Sequence, residues 1–305
     1  MRKKLTVTIG IPAYNEEANI GKLLRALLAQ KQGNFVLKKI IVVSDGGTDK
    51  TDNIVTSFNG RLVKLLRNTK RIGQPNVQNL ITKKVNTDVL VLINADVLPR
   101  NKNFLAEIIR PFYLDSKVGI VGADTLSTKP RTFFEKIIIT AREFKKSVYK
   151  EINYGSNVYL CHGRARALSK KLYKKIDWPD DCAEDAYSYF YSLTNGFRFK
   201  FSSEAAVIFR SPSDLSGHKR QHDRFLEGKN NLILHFDEDL LKQEYQIPSY
   251  LFMQQFLINL VSNPFSLILY SVITLFLEIS RLINNSVDKK INYSLWQVSA
   301  SSKKL

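Results

Sequence analysis

The sequence predicts an α/β fold with a mostly parallel central sheet flanked by helices, on three observations. Over roughly the first 125 residues, short apolar runs alternate with amphipathic stretches, the order that βαβ units leave in a chain. Those runs are continuous, as in Ile40-Ile41-Val42-Val43, which suits strands covered by helices on both faces. A length of 305 residues with 44% apolar content is enough for a large core, in one big domain or two modest ones.

Taken in order, the apolar run Leu5–Ile11 reads as a first strand and the amphipathic stretch Asn19–Ala29 as a helix. Lys39–Ser44 follows as a strand, Thr51–Phe58 as a helix, and Leu62–Leu66 and Val89–Ile93 as strands. Phe104–Phe112 then reads as a helix and Val118–Val121 as a strand. From about Pro130 the alternation stops. Phe133, Ile137, Phe144 and Val148 are spaced for one face of a basic amphipathic helix over Thr132–Lys150.

The C-terminal part changes character, with 33 consecutive uncharged residues between Glu244 and Glu278. Proline breaks a helical ladder and restricts the residue before it, so Asn263-Pro264 should split this run. The stronger arm, Phe265–Leu277, covers 13 residues, about 20 Å as a helix against a bilayer core of about 30 Å. One arm of that length does not cross upright, which predicts a re-entrant hairpin or two interfacial helices. Basic residues flank the run on both sides, with Lys229 and Lys242 before it and Arg281, Lys289, Lys290, Lys303 and Lys304 after it. Basic flanks favour the cytoplasmic face of a membrane. Met1-Arg2-Lys3-Lys4 runs straight into strand-like sequence, unlike the apolar region of a signal peptide.

Lys and Arg outnumber Asp and Glu by 46 to 28, a net charge of +18 that favours anionic partners. Cys161 and Cys182 are too few for a disulfide framework, lack the spacing of a zinc site, and read as inert reduced thiols.

Ligands of open α/β sheets bind beyond the carboxyl ends of the strands. Three such ends each carry a carboxylate: Pro12-Ala13-Tyr14-Asn15-Glu16-Glu17, Ser44-Asp45-Gly46-Gly47-Thr48-Asp49, and Asn94-Ala95-Asp96. Asn15 and Asp49 equally suit capping and turns. Further on stand Cys161-His162-Gly163 before Ala165–Ser169, then Ala183-Glu184-Asp185, then Gln221-His222-Asp223-Arg224-Phe225 with Gly228 behind it.

In this order the segments resemble the family 2 glycosyltransferases, inverting enzymes of the GT-A fold that use nucleotide-diphospho-sugars. The resemblance covers roughly residues 5–230. It implies that Pro12, Tyr14 and Glu16 border the nucleotide, that Asp45 contacts uracil or ribose, and that Asn94-Ala95-Asp96 replaces a DxD metal motif. Asp96 is then the ligand of a Mg²⁺ or Mn²⁺ ion on the donor diphosphate. Asp185 is the expected catalytic base, with Glu184, Phe225 and His162 on the acceptor side. Gln221 and Arg224 belong to a QxxRW-like motif that binds the donor, Arg224 through its forked guanidinium. Arg71 and Lys83-Lys84 are further candidates for the nucleotide. Phe225 keeps a stacking face where the family has Trp, without the indole donor.

The implied donor is a nucleotide-diphospho-sugar, UDP-sugar favoured. The implied acceptor is a lipid-linked or cell-envelope glycan at a membrane surface. Nucleic acid is not expected, since no zinc finger or RRM string is present. A sugar-nucleotidyltransferase would open with a Gly-rich, Arg-containing loop after the first strand, and a non-catalytic membrane scaffold is the remaining alternative. The predicted organisation is a GT-A domain over 1–245, apolar membrane-associated helices over 246–285, and a basic tail over 286–305.

Overall fold

The computed structural model describes residues 3–58, 60–284 and 305. The N-terminal half winds through β1 (Leu5–Ala13), α1 (Ile20–Leu28), β2 (Phe35–Asp45), α2 (Thr51–Ser57), β3 (Val63–Asn68), α3 (Gln74–Lys84) and β4 (Val89–Ile93), all but α3 as predicted. The chain continues through β5 (Val97–Pro99), α4 (Phe104–Ile109), α5 (Pro111–Leu114), β6 (Val118–Ser127), α6 (Phe133–Glu151), β7 (Ala165–Ser169), α7 (Lys170–Tyr173), α8 (Glu184–Thr194) and β8 (Arg198–Phe209). Four more helices follow: α9 (Leu215–Asn231), α10 (Glu238–Glu244), α11 (Ser249–Ser262) and α12 (Pro264–Asn284).

The strands form one sheet in the order β3-β2-β1-β4-β7-β6-β8-β5. Its pairings are parallel except where β7 runs against β4 and β6, and where β5 runs against β8. β1 lies between β2 and β4, so the winding changes direction there. The loops leaving β1 and β4 therefore diverge and open a crevice at their carboxyl ends.

Each sheet face has its own apolar layer. On one, Leu23, Leu24 and Leu27 of α1, Val55 of α2 and Phe104, Leu105 and Ile108 of α4 pack on Ile9, Ile11 and Val42. On the other, Val77 and Ile81 of α3, Tyr173 of α7 and Phe190 of α8 pack on Ile41, Val43 and Leu92.

Two helices depart from the sequence reading, both at prolines. α3 is not among the elements read from the sequence; Pro75 stands in its first turn, where its fixed φ and missing N–H suit a helix start. The single helix expected over Phe104–Phe112 is divided, because Pro111 starts a separate turn. α6 matches its prediction and opens with a capping box, in which Glu135 N donates to Thr132 Oγ1 at 3.1 Å and Thr132 N donates to Glu135 Oε2 at 3.3 Å.

The apolar segment breaks at Asn263-Pro264 as expected, but its second arm is longer than the uncharged run. α12 has 21 residues because the helix continues through Glu278 and Arg281, which pair at 3.1 Å. By length and composition alone, Pro264–Ile283 is long enough to cross a bilayer, so the expectation of an arm too short to cross is corrected. The hairpin lies on α6: Phe144 meets Phe252 and Phe256 with ring centroids 5.3 and 5.8 Å apart, and Leu267 is buried in the same cluster. Its outer face leaves Val261, Ile268, Val272, Leu275 and Leu282 exposed. The predicted basic tail lies outside the described residues, apart from Leu305.

Candidate active site

The crevice at the β1–β4 edge is a pocket with walls drawn from four strand ends. Pro12, Tyr14 and Glu16 follow β1, and Asp45 ends β2. Arg71, Gly73 and Gln74 follow β3, and Asn94 and Asp96 follow β4. Arg224 of α9 closes it from above. Tyr14 and Arg71 stack, with the guanidinium carbon 4.1 Å from the ring centroid, a flat face of the kind that receives a base.

The loops are bonded to one another before any ligand arrives. Asp45 is buried and accepts from the N–H groups of Ile72 and Gly73 at 2.8 and 2.9 Å, fixing the loop after β3. Asn15 sits at φ 52° and its Oδ1 accepts from Thr48 N at 2.8 Å, while Asp49 accepts from Glu17 N at 3.0 Å. Both do the turn-building work that Asn and Asp do well. Gly46 is also left-handed, at φ 70°, and a Cβ there would lie 2.7 Å from Arg71 N, so the loops meet where a side chain has no room. Lys83 and Lys84 stand exposed at the far end of α3 and do not line this pocket.

A second cavity of about 370 Å³ lies on the other side of the Glu184-Asp185 pair. It is lined by Asp185 and His162, by His218, Gln221, His222, Phe225 and Lys229 of α9, by Arg142 and Lys145 of α6, by Arg164, and by Tyr270 of α12. The adjacent acids therefore face different ways. Asp185 Oδ2 accepts from Gly163 N at 2.8 Å and lines this cavity. Glu184 is buried, its Oε1 accepts from Gln74 Nε2 at 2.6 Å, and its Oε2 lies 3.9 Å from Arg224. Both partners line the first pocket, whereas Asp185 lines the second cavity. Burial above all, with the Asp185 charge beside it, pushes the Glu184 carboxyl up from its ordinary value.

The QxxRW-like motif is divided in the same way. His218, Gln221, His222, Phe225 and Lys229 share one helical stripe facing the second cavity, and Arg224 falls to its side and reaches the first. Gln221 thus lines the second cavity together with Phe225 and His162, apart from Arg224. Burial, then Arg142 and Arg164, hold His162 well below the usual histidine range, so its ring is neutral. Both cysteines are buried and their thiols are pushed up by burial, as inert thiols should be. Cys182 nonetheless has company that its spacing did not foretell: its donor atom lies within 4.8 Å of those of Asp181 and His235.

Among residues not singled out from the sequence, Gln74 is the link: its amide donates to both Asn94 Oδ1 at 3.2 Å and Glu184 Oε1. No local motif marks it, since its role depends on α3 starting at the pocket. Arg164 is likewise new. Its charge acts on both Asp96 and Asp185, and burial lowers its own pKa.

The donor set fits a divalent cation. Within the Asn94-Ala95-Asp96 segment, Asn94 accepts from Gln74 and Asp96 offers the one hard carboxylate oxygen. Mg²⁺ and Mn²⁺ sites on nucleotides take that form.

Residues 8–177 match the family described as Glycosyl transferase family 2. Over 131 residues the chain is 28% identical to 4,4'-diaponeurosporenoate glycosyltransferase of Staphylococcus aureus strain USA300, a stretch covering 42% of this chain. The chain spans about a third (34%) of the length of that relative. Among solved structures, the mannosyltransferase PcManGT from Pyrobaculum calidifontis, in complex with GDP-Man and Mn²⁺, superposes with a TM-score of 0.61 at 18% identity, covering 92% of this chain and 76% of that one. S. aureus TarS 1-349 gives 0.54 at 19% identity, covering 85% and 72%. Glucosyl-3-phosphoglycerate synthase from Mycobacterium tuberculosis, with Mn²⁺, UDP and phosphoglyceric acid, gives 0.53 at 15%, covering 75% and 78%.

Proposed function

This chain belongs to glycosyl transferase family 2 and carries the GT-A fold, and on that premise we propose that it is an inverting transferase. It moves a sugar from a nucleotide-diphospho-sugar to a lipid-linked or cell-envelope acceptor. The observation that carries this reading is the opposed direction of Glu184 and Asp185, which gives a donor pocket and an acceptor cavity meeting at one pair of acids.

The nucleotide base stacks on the Tyr14–Arg71 face, and Arg224 lies beside the diphosphate, where a forked guanidinium pairs with leaving oxygens. A Mg²⁺ or Mn²⁺ ion held by Asp96 would supply Lewis-acid neutralisation of the leaving diphosphate. From the opposite side, Asp185 takes the proton of the acceptor hydroxyl as that oxygen attacks the anomeric carbon, which inverts its configuration. Gly163 N holds the carboxylate in place by donating to its Oδ2.

The apolar outer face of α11 and α12 supports residence at a membrane, and the basic residues Lys229, Lys242 and Arg281 beside it support the cytoplasmic face. The relatives carry UDP, GDP-mannose, Mn²⁺ and Mg²⁺ in their described complexes, which supports the donor class and the metal.

The test is release of nucleoside diphosphate by the full-length protein from UDP-glucose and GDP-mannose, with Mn²⁺, Mg²⁺ or EDTA. Metal-dependent release from one donor, faster with a membrane extract, is expected. No release, together with no thermal shift by UDP or GDP, overturns the reading.

A further inference from the structure

The acceptor cavity carries more positive charge than a neutral sugar hydroxyl calls for. Arg142, Lys145, Arg164 and Lys229 line it, and Asp185 is its one carboxylate among the described residues. Arg142, Lys145 and Lys229 make their printed contacts with neutral groups, while Arg164 feels the charges of Asp96 and Asp185. Arg142 donates to Ser127 Oγ at 2.8 Å and to the Thr125 carbonyl at 2.6 Å. Arg142 and Arg164 both stack on the Phe209 ring, with centroid distances of 4.2 and 3.8 Å. Lys145 Nζ donates to Tyr270 Oη at 2.8 Å, and Lys229 lies 4.5 Å from the Tyr245 ring centroid.

Such a gathering is unfavourable as it stands. Burial and the neighbouring Arg164 push Arg142 down to about 9, and burial with Lys145 and His222 pushes His218 down to about 4. Partly desolvated like charges are expensive unless an anion joins them. The donor diphosphate is not that anion: the donor pocket shares no lining residue with this cavity and has its own cations, Arg71 and Arg224.

We propose that the cavity seats a phosphate group of the acceptor, and that the acceptor is an amphiphile whose apolar part leaves past Tyr270 along α12. The walls match both halves. Four cations surround the polar end, and Tyr149, Tyr159, Phe225, Tyr245 and Tyr270 supply the apolar one. Tyr270 belongs to the helix that exposes Ile268, Val272 and Leu275. Calling this ligand the acceptor rests on the glycosyltransferase reading above; the charge site itself does not.

The full-length chain is titrated calorimetrically with octyl phosphate, octyl glucoside and glycerol phosphate, each below its micelle concentration where it has one. Octyl phosphate should bind one per chain, at least tenfold tighter than glycerol phosphate, and octyl glucoside should not compete. Lys145→Gln with Lys229→Gln should weaken octyl phosphate at least tenfold, and Lys145→Arg with Lys229→Arg should restore it. The thermal shift by UDP and Mn²⁺ should stay as in the unaltered protein, showing that the fold and donor site persist. Octyl glucoside binding as tightly as octyl phosphate, or octyl phosphate binding untouched in the Gln variant, overturns the phosphate site. Glycerol phosphate binding as tightly as octyl phosphate overturns the amphiphile. Failure of UDP and GDP to shift the unaltered protein would sink the transferase reading while the anion titration still stands or falls separately.

Discussion

The N–H of Gly163 donates to Asp185 Oδ2 at 2.8 Å, and a Cβ at that glycine would lie only 3.1 Å from the same oxygen. A backbone group one residue beyond His162 therefore aims the carboxylate, and the missing side chain is what permits the approach.

Replacing the acid separates its role from that of its neighbour. A base acts in the transition state, so Asp185→Asn should lower kcat by about 10²–10⁴-fold and leave donor KM nearly unchanged. Glu184→Gln should instead raise donor KM, because Glu184 reaches Gln74 and Arg224. Steady-state kinetics with varied donor distinguish the two; a KM effect in Asp185→Asn would move that residue to the nucleotide site.

Gly163→Ala tests the aiming. The added methyl would meet Glu184 Oε1 at 3.0 Å and Asp185 Oδ2 at 3.1 Å, so the acids must shift by a few tenths of an ångström. We expect kcat to fall by about tenfold or more, and stability by about 1–3 kcal/mol. Turnover unchanged alongside a normal melting temperature would show that Asp185 tolerates another position.

Removal of the cation should stop transfer. EDTA abolishes turnover and Mn²⁺ or Mg²⁺ restores it, while Asp96→Ala stays inactive at saturating metal. Full activity in EDTA would leave charge stabilisation to Arg224 and its neighbours.

His218 should make stability depend on pH. Burial, Lys145 and His222 hold it to about 4, whereas the unfolded chain takes up the proton near 6.5. Its contribution is therefore complete above about pH 6.5 and declines as pH falls toward 4, by up to about 1.4 kcal/mol per pH unit. Urea midpoints at pH 7, 6 and 5 measure the slope, and His218→Asn should flatten it. An unchanged slope would assign the effect to His162.

Much of this is written in local sequence. Runs such as Ile40–Val43 announce strands covered on both faces, and the strand-end segments that follow them do meet in one pocket. Pro111 lies inside a run that reads as one helix, and it divides that run because it can begin a helical turn but cannot continue one. The motif around Gln221 and Arg224 was found, but a string of letters does not say which side of α9 each residue takes, and they separate. Nothing local marks the acceptor cavity. Arg142, Arg164, Lys229 and Tyr270 come from distant stretches, and Tyr270 joins the others when α12 folds back on α6.

The division of the site also follows the order of the chain. Every wall residue of the first pocket except Arg224 lies at or before Asp96, and every residue of the second cavity lies at or after Arg142. Glu184 spans the divide, through Gln74 on one side and its neighbour Asp185 on the other. A crossover between Asp96 and Arg142 would pass on nucleotide choice and acceptor choice as separate inheritances. Chimeras joined there offer a route to new products, provided that Gln74, Glu184 and Arg224 arrive as a matched set.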